Sequence, residues 1–208
     1  MWRITALHRS EQAGELPADG PPHLPEATPL EEVQHPADGA GPLFHRLYRA
    51  RIRDARLAPG ELVARIAADL DQVAPSEFAS FHKVAGQEGA MAVGDEYVVR
   101  MPGPWDGPVR VVERTPSSFR FVTLDGHLEA GQIRFAAEGG DPLEFRIESW
   151  ARSGDRLSNL LYHHLRMSKE VQLHMWSSML ERVARLAGGR LTGGIEIRTW
   201  RVDDVDEI

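Results

Sequence analysis

The chain contains no cysteine. That absence removes disulfides, thiolate nucleophiles, cysteine-ligated zinc and iron–sulfur clusters together. Basic charge is also short: 24 Lys and Arg face 31 Asp and Glu, for a net charge of −7. No stripe of cations is present to track a phosphate backbone, so nucleic acid is not an expected partner. No run approaches the roughly 18 apolar residues of a membrane-spanning helix, and the opening residues lack the basic-then-apolar order of an export signal. Stable membrane insertion is therefore not expected, and a cytoplasmic location is. There is no internal repeat. The pairs Gly188-Gly189 and Gly193-Gly194 do not link a strand to a helix start, so they form no phosphate-binding fingerprint. No serine stands in a nucleophile-elbow context, and no acidic cluster has calcium-loop spacing. Neither a metal nor a cofactor is expected.

What is present is an ordinary globular composition, 42% hydrophobic and 26% charged over 208 residues, enough for one domain with a real core. Half of the 14 prolines fall before residue 44 (Pro17, Pro21, Pro22, Pro25, Pro29, Pro36 and Pro42), where Arg3 and Arg9 are the only Lys or Arg side chains. Proline fixes φ and removes a backbone donor. Residues 1–43 accordingly read as an acidic, mostly irregular arm, with Met1 to Leu7 able to dock as an edge strand. Residues 44–188 read as the folded domain, and 189–208 as a tail in which Ile195 to Val202 could add an edge strand.

Inside the domain, Phe44, Tyr48, Ala50 and Ile52 alternate with His45, Arg49 and Arg51, the pattern of a strand wet on one side. Pro59-Gly60 opens a helix carrying Leu62, Ile66, Leu70 and Val73, and Pro75 stops it. Ser76 to Gly86 reads as a short second helix or a turn-rich link. From Tyr97 to Trp150, period-two segments are separated by Pro102-Gly103-Pro104, Thr115-Pro116, Asp125-Gly126 and Gly139-Gly140-Asp141-Pro142. This predicts an antiparallel meander with one buried face. The period returns to 3.6 after Asp155, with Val171, Met175, Met179, Val183 and Leu186 in one stripe before Gly188. A break near Met167-Ser168 is expected, because an unbroken helix would reach about 50 Å. The element order predicts an α+β helix-grip fold: a curved antiparallel sheet of about six or seven strands wrapped around a long C-terminal helix.

Ala58-Pro59-Gly60-Glu61-Leu62-Val63, Val93-Gly94-Asp95 and Val111-Val112-Glu113-Arg114-Thr115-Pro116, in that order, resemble the helix-grip superfamily of START lipid-transfer domains, birch-pollen allergens and polyketide cyclases. Phe121 to Phe135, followed by Phe145-Arg146-Ile147 and Ser149, is similar to domain-of-unknown-function family 1990. The hallmark of that family is Thr-Leu, a glycine, His, and then Glu with a nearby Gly; here these are Thr123-Leu124, Gly126, His127, Glu129 and Gly131. Two positions depart from it. Phe121-Val122 stands where relatives usually have Tyr-Gly, and Gln132 where they usually have an acid. The resemblance implies a sheet–helix cavity and brings no established activity.

In a meander, successive turns alternate between the two ends of the sheet. The loop 102–108, the hairpin 125–127 and the turn 152–155 should therefore share one rim, bringing together Trp105, Asp106, His127, Arg152 and Asp155. His127 and Glu129 are two apart and project to one side of a strand. A histidine beside a carboxylate can act as a base or ligate a metal; equally, such a pair can serve the backbone groups of its own hairpin. The zinc deaminase route is closed, since it needs Pro-Cys-x-x-Cys. Tyr162-His163-His164 and His174 lack the spacing that places metal ligands on one helix face. Trp105, Phe121, Phe145, Val171, Met175 and Met179 are expected to line the apolar interior, where methionine adapts to varied shapes. Arg100, Arg110, Arg120, Arg134 and Arg146 should form a charge lattice with Glu113, Glu144 and Glu148 on the solvated face. The leading expectation is binding of a small hydrophobic or lipid-like molecule without covalent chemistry. One alternative is a cyclase-, dehydratase- or hydrolase-type cavity enzyme with His127 as base and Glu129 orienting it. The other is an interaction module that docks a protein partner through the arm or the tail.

Overall fold

A computed structural model describes residues 5–101, 106–154, 167–203 and 205 of the chain. In chain order the elements are β1 (Leu7–Ala13), β2 (Ala40–Arg53), α1 (Pro59–Ala68), β3 (Ser80–Ala85), β4 (Glu96–Arg100) and β5 (Asp106–Thr115). Then come β6 (Ser118–Thr123), β7 (Glu129–Gly139), β8 (Leu143–Ser153), α2 (Met167–Leu186) and β9 (Arg190–Val202). Among the described residues, no helix is long and apolar enough to cross a membrane.

The strands form one mixed sheet in the order β1-β9-β2-β8-β7-β6-β5-β4-β3. β1 runs parallel to β9, and every other neighbouring pair is antiparallel. The meander from β4 to β8 is as the turn signals predict. The expected six or seven strands are corrected to nine, and the sheet is neither closed nor strongly curved. The extra strands are β1 and β3. Leu7–Ala13 holds no proline, so this piece of the arm keeps its donors and can enter a ladder, a fact hidden by the composition of the whole arm. Ser80–Ala85, read as helix or link, has no apolar stripe of helical period; it pairs with β4, and Phe81 packs on the core.

Two helices, not one, lie on the inner face of the sheet. α1 packs over β6 and β7, and α2 over β9, β2 and β8. α1 begins at Pro59, where proline fits the first helical position, and the Glu61 carboxylate reaches back to accept from the Ala58 N–H at 3.0 Å. It buries Leu62, Val63, Ile66 and Ala67. The described part of α2 starts at Met167; Leu157, Leu160, Leu161 and Tyr162-His163-His164 lie outside the described residues, as does the stretch on which the expected break depends. Its end is set by Gly188 at φ +71°, with the Gly189 N–H donating to Ala184 O and the Gly188 N–H to Arg185 O. That left-handed closure needs glycine.

The core joins both helices to the inner sheet face. Phe119 stacks on Phe135 at 4.8 Å, Phe121 meets both edge-on, and Trp176 of α2 meets Phe135 edge-on at 5.8 Å. These rings fill the centre of the sheet–helix space with the chain's own side chains.

The outer face carries the arginine lattice, with Arg120–Glu113 at 2.8 Å and Arg146–Glu144 at 2.9 Å. The arm covers part of it. Arg120 donates to the carbonyls of Pro22 and His23, and Arg110 to those of Pro29 and Glu31. Buried arginines thus replace the backbone partners that a proline-rich segment lacks. Gln132 accepts from Arg120 through Oε1 and donates to Pro22 O through Nε2. A carboxylate could not make the second bond. This gives the departure at Gln132 a physical role in seating the arm.

Candidate functional site

The 124–128 hairpin and Gly154 share one end of the sheet, as the strand count requires. Trp105 and Asp155 lie outside the described residues. Arg152 turns to the arm and donates to Gly41 O and Pro36 O. His127 is half-buried, and its Nδ1 is 2.9 Å from both the N–H and the carbonyl oxygen of Glu129. Burial lowers its pKa against the opposing pull of Glu129, which favours the neutral ring whose Nδ1 accepts from the Glu129 N–H. Nε2 lies over Gly107, where an added Cβ would stand 2.9 Å away. The His127–Glu129 contact therefore runs through the main chain. The Glu129 carboxylate instead accepts from Gln172 Nε2 of α2 at 2.7 Å. It ties the sheet rim to the helix.

Register shows what surrounds this end. Glu11, Thr199, Arg46, Ser149, Ile133 and Phe121 form one row across the inner face, and Arg9, Ile197, Tyr48, Ile147 and Phe135 form the next. Both rows are apolar at the meander and polar toward β1. At the polar end lies a cleft of about 280 Å³ lined by Arg9, Ser10, Glu11, Arg46, Tyr48, Leu173, Ile197 and Thr199. Burial, with the charge of Glu129 adding to it and those of Arg46 and Arg9 opposing, pushes the Tyr48 hydroxyl up to about 12. The hydroxyl keeps its proton and remains a donor at neutral pH.

Of the residues read from the sequence as ligand-lining, Phe121, Phe145 and Met179 are fully buried in the core. Met175 is buried and Val171 half-buried on α2. None of these five borders the cleft, whereas Leu173 of the same helix does. The sequence reading passed over Arg46 and Thr199. The available signal was parity: Arg46 has the spacing of Phe44, Tyr48 and Ala50, the apolar side of the strand.

A second constellation occupies the outer face. His45 is sandwiched between Trp150 (5.1 Å, interplanar 14°) and Trp200 (4.5 Å, 19°). Its Nδ1 faces Asp19 of the arm at 3.1 Å and its Nε2 faces Glu148 at 2.8 Å. Both nitrogens can donate only in the imidazolium form. Burial opposes that charge, but the hydrogen bonds to Glu148 and Asp19 outweigh it and raise the pKa above its ordinary 6.5. A raised folded pKa gives stability that is fully present below about 6.5 and lost as pH rises through the folded value. NMR titration of the His45 ring is expected to give a midpoint above 6.5. Wild type should also lose its stability advantage over His45→Gln as pH climbs through that midpoint. A midpoint at or below 6.5 would contradict the clamp.

Residues 30–182 match the family described as Domain of unknown function (DUF1990), most of the chain. The chain belongs to the DUF1990 family. Its sheet with a C-terminal helix packed on the inner face is a helix-grip arrangement. No curated protein matches this DUF1990 chain. Solved structures similar to it include norcoclaurine synthase from Thalictrum flavum in complex with dopamine and hydroxybenzaldehyde, 10% identical, TM-score 0.48, covering 70% of this chain and 87% of the other. A conserved protein from Geobacillus kaustophilus is 10% identical, TM-score 0.48, covering 71% and 98%. Major latex-like protein 151 from Panax ginseng is 13% identical, TM-score 0.48, covering 68% and 96%. At these levels none of them assigns a role to a residue of this chain.

Proposed function

We propose that the protein binds a small, largely apolar molecule at the polar end of the sheet–helix space, without covalent chemistry. The observation that carries this is the cleft between β1, β9, β2 and α2, where Leu173 and Ile197 supply apolar wall beside Arg46, Tyr48 and Thr199. The centre of the space is filled by Phe119, Phe121 and Phe135, so the ligand sits at the margin and is short. A volume of about 280 Å³ holds roughly ten non-hydrogen atoms at the packing of a binding pocket. Burying about 200 Å² of apolar ligand surface contributes about 5 kcal/mol before the cost of association, which points to modest affinity. His127 and Glu129 enter this reading as groups that fix the rim: the first holds the hairpin and the second ties it to α2.

Calorimetry with octanamide, a neutral probe of the right length, tests the site. Saturable one-to-one binding is expected in wild type and its loss in Thr199→Trp, which fills the cleft from a half-buried position on β9. Binding that is absent in wild type, or unchanged in Thr199→Trp, overturns the assignment.

A further inference from the structure

Arg46 stands out among the groups that line the cleft. It is only 5% exposed, on the inner face of β2, and its Nη2 is sealed from solvent with no hydrogen-bond partner. An ionised guanidinium in such a place is costly unless a partner meets it, because burial removes the water that would otherwise satisfy its donors. Its carbon lies 4.5 Å over the ring of Phe44. Packing of that kind occupies one flat face and leaves Nη2 on the N–H edge without an acceptor, and it is by such edges that a guanidinium engages a carboxylate in pairs.

The neighbours fit the same chemistry. Register places the hydroxyl residues Thr199 and Ser149 on either side of Arg46, and Tyr48 one step along the same face of β2. Of the charged residues that line the cleft, Arg9 is a second cation beside Arg46 and Glu11 is an acid. Leu173 and Ile197 bound the remainder with hydrocarbon.

We propose that Arg46 is the recognition residue for the carboxylate of a short amphipathic monoanion, with an apolar body of medium-chain or arylalkyl size lying against Leu173 and Ile197. This rests on the cleft being the ligand site and adds the charge of the ligand to it. The guanidinium meets the head group by rotation of its terminal side-chain bonds toward the cleft, while the backbone of β2 stays in its ladder.

The test compares octanoate with octanamide, which have the same number of non-hydrogen atoms and differ in charge, by calorimetry on the full chain at pH 7.5. Octanoate is expected to bind at least tenfold more tightly than octanamide, the scale of a charge-assisted pair. In Arg46→Gln the preference of octanoate over octanamide should fall below about threefold, through a larger loss of affinity for octanoate than for octanamide. Retained octanamide binding in that variant shows that the cleft is still folded. Equal binding of the two probes in wild type overturns the carboxylate assignment and leaves the cleft reading intact. A preference that survives in Arg46→Gln shows that another group reads the charge, and overturns the assignment to Arg46. Binding of neither probe fails the cleft reading, and this inference with it.

Discussion

Replacing Phe135 with alanine is expected to lower stability by about 3–5 kcal/mol. Phe135 is 1% exposed and stands where the middle of the sheet meets α2. It stacks on Phe119, touches Phe121 edge-on, and receives Trp176 from the helix, so its removal leaves three rings without a shared partner. The cavity forms between a hydrogen-bonded sheet and a helix anchored by Met179, Leu180 and Val183, elements that cannot collapse into it cheaply. Urea unfolding followed by circular dichroism checks the value, and the melting temperature should fall by about 10 °C for a chain of this size. Phe135→Leu should cost clearly less, since it retains most of the buried volume. A loss below about 1 kcal/mol for the alanine variant would show that the ring cluster is not the packed centre described.

Gly131→Ala should cost about as much, for an unrelated reason. A Cβ added at Gly131 would lie 2.0 Å from Trp150 O and 2.8 Å from the Ala151 Cα, both backbone atoms of the neighbouring strand. No side-chain rotation relieves that overlap, so the β7–β8 ladder must open locally. Gly131 also exchanges hydrogen bonds with Thr123 Oγ1, which accepts from its N–H at 2.8 Å and donates to its carbonyl at 3.2 Å. A loss of about 4 kcal/mol, or failure to accumulate folded protein, is expected. The control is Gly126→Ala. Nothing lies within 4 Å of a Cβ there, although its φ of +91° charges a conformational penalty of about 1 kcal/mol. Should Gly131→Ala prove no more damaging than Gly126→Ala, close approach of the two strands is not what requires glycine in the Glu129-Ala130-Gly131 segment.

These two variants sample different layers of information. The ring cluster was legible in part, because Phe119 and Phe121 flank Arg120 on one strand and must point to the same side. Their contact with Trp176 was not, since helix position over a sheet depends on residues far apart in sequence. The motif around His127 was legible as a motif, but its work was not: spacing alone could not show that the imidazole bonds the main chain of Glu129 while the carboxylate reaches Gln172. The arm was misjudged by its average. Proline density describes residues 14–39 well, yet Leu7–Ala13 lies just before the first proline and is free to pair with β9. The solvated charge lattice was judged from single strands, and no strand shows that a distant segment will lie across Arg110 and Arg120.

Local chemistry along the chain set the element order, the meander and its turn ends, and the inward parity of its large side chains. These follow from periodicity and turn preferences that act over a few residues. Tertiary structure alone decided that β1 closes one margin of the sheet, that the arm lies on the outer face, and that Arg46 meets β9 and α2 at an open cleft. Each of those outcomes brings together segments separated by most of the chain, where shape and the need to satisfy buried polar groups govern and local preference carries no weight.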